Sequence, residues 1–431
     1  MQTNARDAAL EALLAVERTP VGAQDALAAA LGKVADPRDR GLATMLVFGV
    51  LRTRAGLDHA IDAFATRGTS GLDLVTRTAM RIGAFQLLHL DRVPARAAVS
   101  AAVDQIRARG DQRRAGFANA VLRGLAREPQ RGAPPGGGTL EALSIRTSHP
   151  VWVLDALRAV VGDALEAHAL AYAHEAPAVV RCRMGERERA LAWVAAQPGA
   201  TGELGTEPHA LRLTGVDPLL ATPFAEALWV PQDEGSQRVA RLLGAAPGER
   251  VLDLCAGTGI KTTWLAEAVG PDGAVVATDQ APHKLERLRS LVQRWRVSDR
   301  VTTAALDATE PLALGTFDRV LVDAPCSGLG TMRRRPEIQW RRQPGDVRAL
   351  AAMQRAMVLR AADALRPGGT LLYAVCTFTR DEGEQVLGGI LGERPDLALD
   401  PPTEASPDGF VRTSPLTDGM DGFFMARLRR R

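Results

Sequence analysis

Val251-Leu252-Asp253-Leu254-Cys255-Ala256-Gly257-Thr258-Gly259-Ile260-Lys261 reads as a strand that passes through a glycine turn into a helix. The two glycines let the backbone approach a ligand closely, and the helix start behind them offers free N–H groups. The turn has Gly-x-Gly but lacks the third glycine of the dinucleotide fingerprint and the spacing of a phosphate-binding loop. A tight strand-to-helix turn with no ligand accounts for it as well as a cofactor loop does. Around it, Arg250–Leu254, Ala274–Thr278, Val301–Thr303, Arg319–Val322 and Thr370–Val375 are predicted strands. Helices over Thr262–Ala268, His283–Arg294 and Val347–Leu365 lie between them. Apolar strands alternating with helices predict a doubly wound parallel sheet, with ligands beyond the carboxyl ends of the strands.

The rest of the 431 residues is too much for one ordinary domain. Residues 1–128 show helical periodicity, with segments over Leu42–Leu51, Val75–Leu90, Ala97–Ala108 and Phe117–Ala126. Arg131-Gly132-Ala133-Pro134-Pro135-Gly136-Gly137-Gly138 breaks all periodicity and is placed as the linker. Residues 140–235 are mixed, with a helix over Val151–Val161 and strand-like alternation from Ala178 to Arg183. Three domains are therefore expected: a helical one over 1–130, a small α/β linking module over 140–235, and an α/β domain over 236–431. Residues 1–131 carry 19 basic and 13 acidic side chains, a net +6, whereas the remainder is net −3. No apolar run reaches the ~20 residues that span a bilayer, and the polar start Met1–Asp7 does not read as a signal peptide. A cytoplasmic, monomeric protein without metal or membrane attachment is the expectation. Four cysteines without close pairing fit neither a disulfide scaffold nor a zinc ribbon.

The strand after the glycine turn ends in Thr278-Asp279, where a carboxylate either accepts both ribose hydroxyls of a nucleoside or caps the next helix. Asp307, past the following strand, either meets the adenine amine or is a plain loop carboxylate. Strand ends carrying Gly/Gly, Asp and Asp make a nucleoside pocket. An adenosine with no phosphate to hold points to S-adenosylmethionine. Cys326 and Cys376 then stand at the ends of two further strands, in Asp323-Ala324-Pro325-Cys326-Ser327-Gly328 and Ala374-Val375-Cys376-Thr377. Cys182 fits a structural strand position.

Asp323–Thr331 followed by Arg333-Arg334-Arg335-Pro336-Glu337, the segment Tyr373–Thr377 and the terminal Asp421-Gly422-Phe423-Phe424-Met425-Ala426 resemble the RNA 5-methylcytosine methyltransferases. That family includes the bacterial small-subunit rRNA cytosine-967 methyltransferase. Gly83–Leu88 and Phe117–Arg123 resemble the NusB-like domain found in that type, so the resemblance covers nearly the full length. It implies an all-α NusB-like RNA-binding domain, a small linking module and a C-terminal Rossmann-like, S-adenosylmethionine-dependent methyltransferase domain. The chain departs from the family's usual Cys-Ala-x-Pro-Gly-Gly-Lys at Thr258 and Ile260, and from its Cys-Ser and Glu-Asn-Glu at Thr377 and Gly383.

The chemistry agrees with the resemblance. Carbon 5 of cytosine is a poor nucleophile until a thiolate adds to carbon 6 and turns the ring into an enamine. An unperturbed thiol near pKa ~8.5 is mostly protonated at neutral pH, so a nearby cation is needed. The resemblance implies Cys376 as the nucleophile, Cys326 as the group that assists product release, and Lys261 as the loop lysine beside the thiolate. Asp323 is the candidate partner of ring nitrogen 3. The expected cofactor-binding set is Cys255, Ala256, Gly257, Thr258, Gly259, Ile260, Lys261, Asp279, Lys284, Asp307 and Asp323. Arg333–Arg342, with Trp340 among the arginines, suits phosphate contact and base stacking or is a solvated basic loop. The target base must leave its stack to reach the thiol. The expected substrate is small-subunit rRNA at cytosine 967, with tRNA or another RNA as the alternative. A non-catalytic RNA-binding or ribosome-assembly factor is the alternative from another class.

Overall fold

Asn4, Asp36, Asp73, Asp111 and Thr139 each accept a hydrogen bond from a backbone N–H one turn ahead, and each opens a helix. The computed structural model describes residues 4–65 and 68–431, so Met1–Thr3 of the polar start lie outside the described residues. The helices are α1 (Ala5–Arg18), α2 (Ala23–Leu31), α3 (Pro37–Arg52), α4 (Arg54–Asp62), α5 (Leu74–His89), α6 (Ala95–Arg107) and α7 (Gln112–Arg127). They are followed by α8 (Leu140–Thr147), α9 (Val151–Val161) and α10 (Leu165–Ala173). Small residues let them pack closely. A Cβ on Gly49 would stand 2.1 Å from the Phe85 ring, and one on Gly83 would stand 2.8 Å from Leu122. The predicted linker does not hang free: Arg131 lies over the Phe64 ring, and Gly132 packs against Ala60. Lost periodicity marked lost regular structure there, not lost contact.

By internal contacts the chain divides after His174. One unit is Met1–His174 with Met332–Arg341, and the other is Glu175–Thr331 with Arg342–Arg431. The second unit begins with β1 (Ala178–Cys182), α11 (Arg187–Ala195), β2 (Thr201–Leu204), β3 (Ala210–Thr214), the single turn α12 (Thr222–Ala225) and β4 (Trp229–Pro231). These strands form an antiparallel sheet of order β2-β3-β1-β4. Then come α13 (Glu234–Leu243), β5 (Arg250–Asp253), α14 (Ile260–Val269), β6 (Ala274–Asp279), α15 (Pro282–Arg294), β7 (Val301–Ala305) and β8 (Phe317–Asp323). The short α16 (Ile338–Arg341) precedes α17 (Pro344–Asp363), β9 (Leu365–Val375), α18 (Glu384–Glu393), β10 (Leu397–Leu399), β11 (Val411–Thr413) and β12 (Phe423–Arg430).

The large sheet runs β10-β12-β9-β8-β5-β6-β7. Its β9, β8, β5, β6 and β7 are parallel, as predicted, but β12 adds to β9 in the antiparallel sense and carries β10 and β11 with it. Alternation along each strand feeds two cores. Val251, Leu321, Leu372 and Met425 face one, and Leu252, Val320, Tyr373 and Phe424 face the other. Strand order reverses about β5, which opens a crevice at the carboxyl ends of β5 and β8. The small sheet grips α14 through Arg181. Its wholly buried guanidinium bonds Gln232, Glu267 and Thr263, and lies over the rings of Trp264 and Trp295.

Met332–Arg341 corrects the expectation for the arginine-rich segment. Arg341 donates to the carbonyls of Val16, Thr19, Pro20 and Val21, at the open end of α1. Trp340 donates its indole N–H to Leu51, with Arg54 over its ring at 4.9 Å. Glu337 accepts from the Ala23 N–H at the start of α2. These side chains tie the segment into the helical unit, where unpaired helix-end groups outcompete solvent for them. Trp340 is therefore not a free stacking platform.

Candidate active site

Residues at the carboxyl ends of β5, β6, β8 and β9 line the crevice. Gly257 and Gly259 both adopt positive φ, 56° and 89°. A Cβ on Gly259 would stand 2.6 Å from Leu288, whereas one on Gly257 would meet nothing within 4 Å. Gly259 is thus required by packing, and Gly257 leaves its side of the turn open. Asp279 caps the start of the next helix and also holds the glycine turn. One oxygen accepts from Ala281 N at the start of α15, and the other accepts from Gly257 N at 3.1 Å, with Lys284 at 3.5 Å. Asp307 is exposed and closes its own turn with Thr309 while accepting from Gln280.

A cleft of about 300 Å³ lies beside this turn, lined by residues from Cys255 to Lys261 together with Asp253 and Asp323. Gln232, Asp233 and Ser236 close its other side. Asp253 is 1% exposed and accepts from Thr262 Oγ1 at 2.7 Å through one oxygen. Its other oxygen has no partner. Burial, with the charges of Asp323 and Asp279 adding to it, pushes its carboxyl up to about 7. An orphaned buried acceptor in a cleft with three carboxylates and an open glycine turn fits S-adenosylmethionine, whose ammonium and sulfonium are both cationic. Asp253 was not among the predicted site residues. The signal was a lone carboxylate inside an apolar strand.

Lys261 Nζ stands 2.6 Å from Asp323 Oδ2. Burial opposes its charge, but the Asp323 carboxylate outweighs that and raises the ammonium, with Cys376 contributing. So Lys261 is first the partner of Asp323, and Cys376 lies within reach of its field. Cys326 Sγ and Cys376 Sγ are 3.2 Å apart. The hydrogen bond to Cys376, burial, and the charges of Glu382 and Asp323 raise the Cys326 thiol well above the ordinary range. Either sulfur can donate across this contact. Cys255 and Cys182 are raised by burial too, Cys182 to about 12, and neither has a second thiol beside it. Cys182 is a buried residue of the small sheet, whereas Cys255 packs beside Met357 at the edge of the cleft.

Behind the thiols lies a buried polar network outside the predicted set. Glu382, fully buried, accepts from Ser327 N at 2.7 Å, Gln354 Nε2 at 3.0 Å and Thr379 Oγ1 at 2.8 Å. Ser327 Oγ donates to Thr377 Oγ1 at 2.9 Å, which crosslinks the residues following the two cysteines. Gly330 N donates to the carbonyl of Cys376, and the Gly330 carbonyl accepts from Gly422 N. A Cβ on Gly330 would stand 1.8 Å from Gly422 O. The terminal Asp421-Gly422-Phe423-Phe424 segment thus closes on the Cys326 loop.

Residues 240–429 match the family model for the 16S rRNA methyltransferase RsmB/F, and residues 3–127 match the NusB family. Over 99% of its length the chain is 39% identical to a putative methyltransferase of Mycobacterium tuberculosis, covering 96% of that protein. It is 31% identical to the probable ribosomal RNA small subunit methyltransferase B of Bacillus subtilis, over 100% of this chain and 99% of the relative. The crystal structure of PH0851 superimposes with a TM-score of 0.85 at 25% identity, over 99% of this chain and 98% of that one.

Proposed function

Because the chain belongs to the 16S rRNA methyltransferase RsmB/F family and takes its methyl group from S-adenosylmethionine, we propose that it methylates carbon 5 of an RNA cytosine, at position 967 of 16S rRNA, through a covalent adduct on Cys376. The reading includes the three-part division of the chain, with residues 1–130 as the RNA-binding domain and 140–235 as the linking module. One observation carries it: two thiols 3.2 Å apart at the ends of β8 and β9, beside the Lys261–Asp323 pair.

The Cys326 S–H stabilises the Cys376 thiolate by hydrogen bonding, and the Lys261 ammonium adds its field. The Cys376 sulfur bonds carbon 6 of the flipped base. Negative charge then develops toward ring nitrogen 3, the atom that Asp323 pairs with, with the Lys261 ammonium beside it. S-adenosylmethionine, held by Asp253, Asp279 and the Cys255–Lys261 turn, supplies the methyl electrophile. After the carbon-5 proton is lost to solvent, the sulfur–carbon 6 bond breaks and its electron pair returns to Cys376. Cys326, already in hydrogen-bond contact, gives its proton to that leaving thiolate.

The protein should transfer label from methyl-labelled cofactor to unmethylated 16S rRNA, with 5-methylcytosine mapped by bisulfite sequencing. Cys376→Ala should form no adduct and no product, whereas Cys326→Ala should accumulate a protein–RNA adduct stable to denaturing gels. Near-normal turnover by Cys376→Ala would refute the nucleophile assignment. Label confined to tRNA would refute the substrate.

A further inference from the structure

The motif Phe117–Arg123 is only half absorbed by the helical core. Ala118, Val121 and Leu122 are buried. Asn119 and Arg123, four residues apart, share the outer face of α7 with Gly116 and Arg127. On α6, Arg96, Ser100 and Arg107 follow at the same helical spacing. The two faces enclose a groove of about 740 Å³. Its floor is low, since Ser100 is small and a Cβ on Gly116 would meet nothing within 4 Å. Its one carboxylate, Asp104, is already paired with Arg107 at 2.8 Å. Arg96, Arg123 and Arg127 are exposed and have no protein acceptor among the described residues.

We infer that the α6–α7 groove binds the sugar–phosphate backbone of the RNA substrate, an inference that rests on the RNA reading above. Three unpaired guanidinium groups facing one neutralised carboxylate are complementary to a polyanion. From Arg96 to Arg107 the α6 face runs about 16 Å at ~1.5 Å per residue, enough for several phosphates. Arginine forks bind phosphate bidentately, and the half-buried Asn119 amide offers both donor and acceptor to a ribose 2′-hydroxyl. An acidic protein segment is the competing occupant, but the apolar lining is confined to Val99, Val103 and three alanines, with no aromatic pocket to anchor one.

The test is fluorescence anisotropy with a labelled 16S rRNA fragment containing cytosine 967, titrated at several salt concentrations, alongside methyl-transfer kinetics on the same RNA. Three lost phosphate contacts should lower the slope of log K against log salt by about 2 and weaken binding roughly 50-fold at 0.15 M salt. We therefore expect that change for Arg96→Gln/Arg123→Gln/Arg127→Gln, with KM raised and kcat at saturating RNA unchanged. A charge-matched variant outside the groove, Lys33→Gln/Arg38→Gln/Arg158→Gln, should stay within about twofold. Arg123→Lys, which keeps the charge, should keep the slope, and it serves with Arg123→Gln if the triple variant does not fold. Equal weakening by both triple variants, or an unchanged slope in the groove variant, overturns the inference, and the latter is the outcome an acidic-protein occupant predicts. Wild-type protein that binds through the groove but transfers no methyl to this RNA would overturn the function reading and leave the groove standing. Normal methylation with an unchanged KM in the groove variant would do the reverse.

Discussion

Replacing Asp253 by Asn should stabilise the cofactor-free protein and weaken cofactor binding. Asp253 is almost wholly buried, one of its oxygens bonds Thr262, and the other bonds nothing. Its carboxyl stands at about 7 in the folded chain against an ordinary 3.8, because burial disfavours the anion. A raised folded-state value means that the native state holds the proton more tightly than the unfolded state. The associated stability is complete below about pH 4 and is lost as pH rises to about 7. The shift of roughly 3 pKa units corresponds to about 4 kcal/mol, reached in full only above pH 7. Asn keeps the shape and the Thr262 bond but carries no charge. In denaturant titrations of cofactor-free protein, the advantage of Asp253→Asn should grow by about 2 kcal/mol between pH 5.5 and 7, then level off. Calorimetry with S-adenosylmethionine should show the opposite sign, since the ammonium of the ligand loses its buried anion. A stability difference that does not change with pH would refute the claim that Asp253 is strained by desolvation. Unaltered cofactor affinity would refute its role in the cleft.

Further outcomes follow from the same geometry. Asp323→Asn should reduce single-turnover methyl transfer by about 10²–10⁴-fold, measured by quench-flow, and a rate within threefold of wild type would remove Asp323 from the chemistry. Gly330→Ala puts a Cβ against the Gly422 backbone; neither side can yield, so the urea midpoint should fall by an amount equivalent to about 2–4 kcal/mol. Arg341→Ala abandons four carbonyls and should destabilise the helical unit by about 3 kcal/mol, while leaving the salt dependence of RNA binding unchanged. A loss of RNA affinity with intact stability would restore that arginine to the phosphate-contact role. Cys255→Ser should methylate at a rate within twofold of wild type, because the thiol is protonated and packed beside Met357.

The parallel strands β5 to β9 were legible because each is an apolar run bounded by turn residues, a purely local pattern. The antiparallel β12 was not read as a strand, since Phe423–Arg430 shows no turn-linked partner nearby and pairs with β9 across some 50 residues of chain. Arg333–Arg342 was legible as charge but not as anchorage. Nothing in its composition says that α1 and α2 leave helix-end carbonyls and an N–H for it to satisfy. Glu382 stood in the sequence only as part of a variant motif, and its role as acceptor for Ser327, Gln354 and Thr379 exists only once three separated segments meet.

By itself the sequence determined the alternation of β5 to β9 with helices, the glycine turn, the two thiols and the carboxylates at successive strand ends. Those properties depend on side-chain type and near-neighbour spacing. Tertiary structure alone decided that Lys261 pairs with Asp323, that the Cys326 and Cys376 sulfurs stand 3.2 Å apart, and that Asp253 has an unsatisfied oxygen. Each of these depends on distance and desolvation between residues far apart in the chain, and electrostatic energy is set by those two quantities rather than by residue identity.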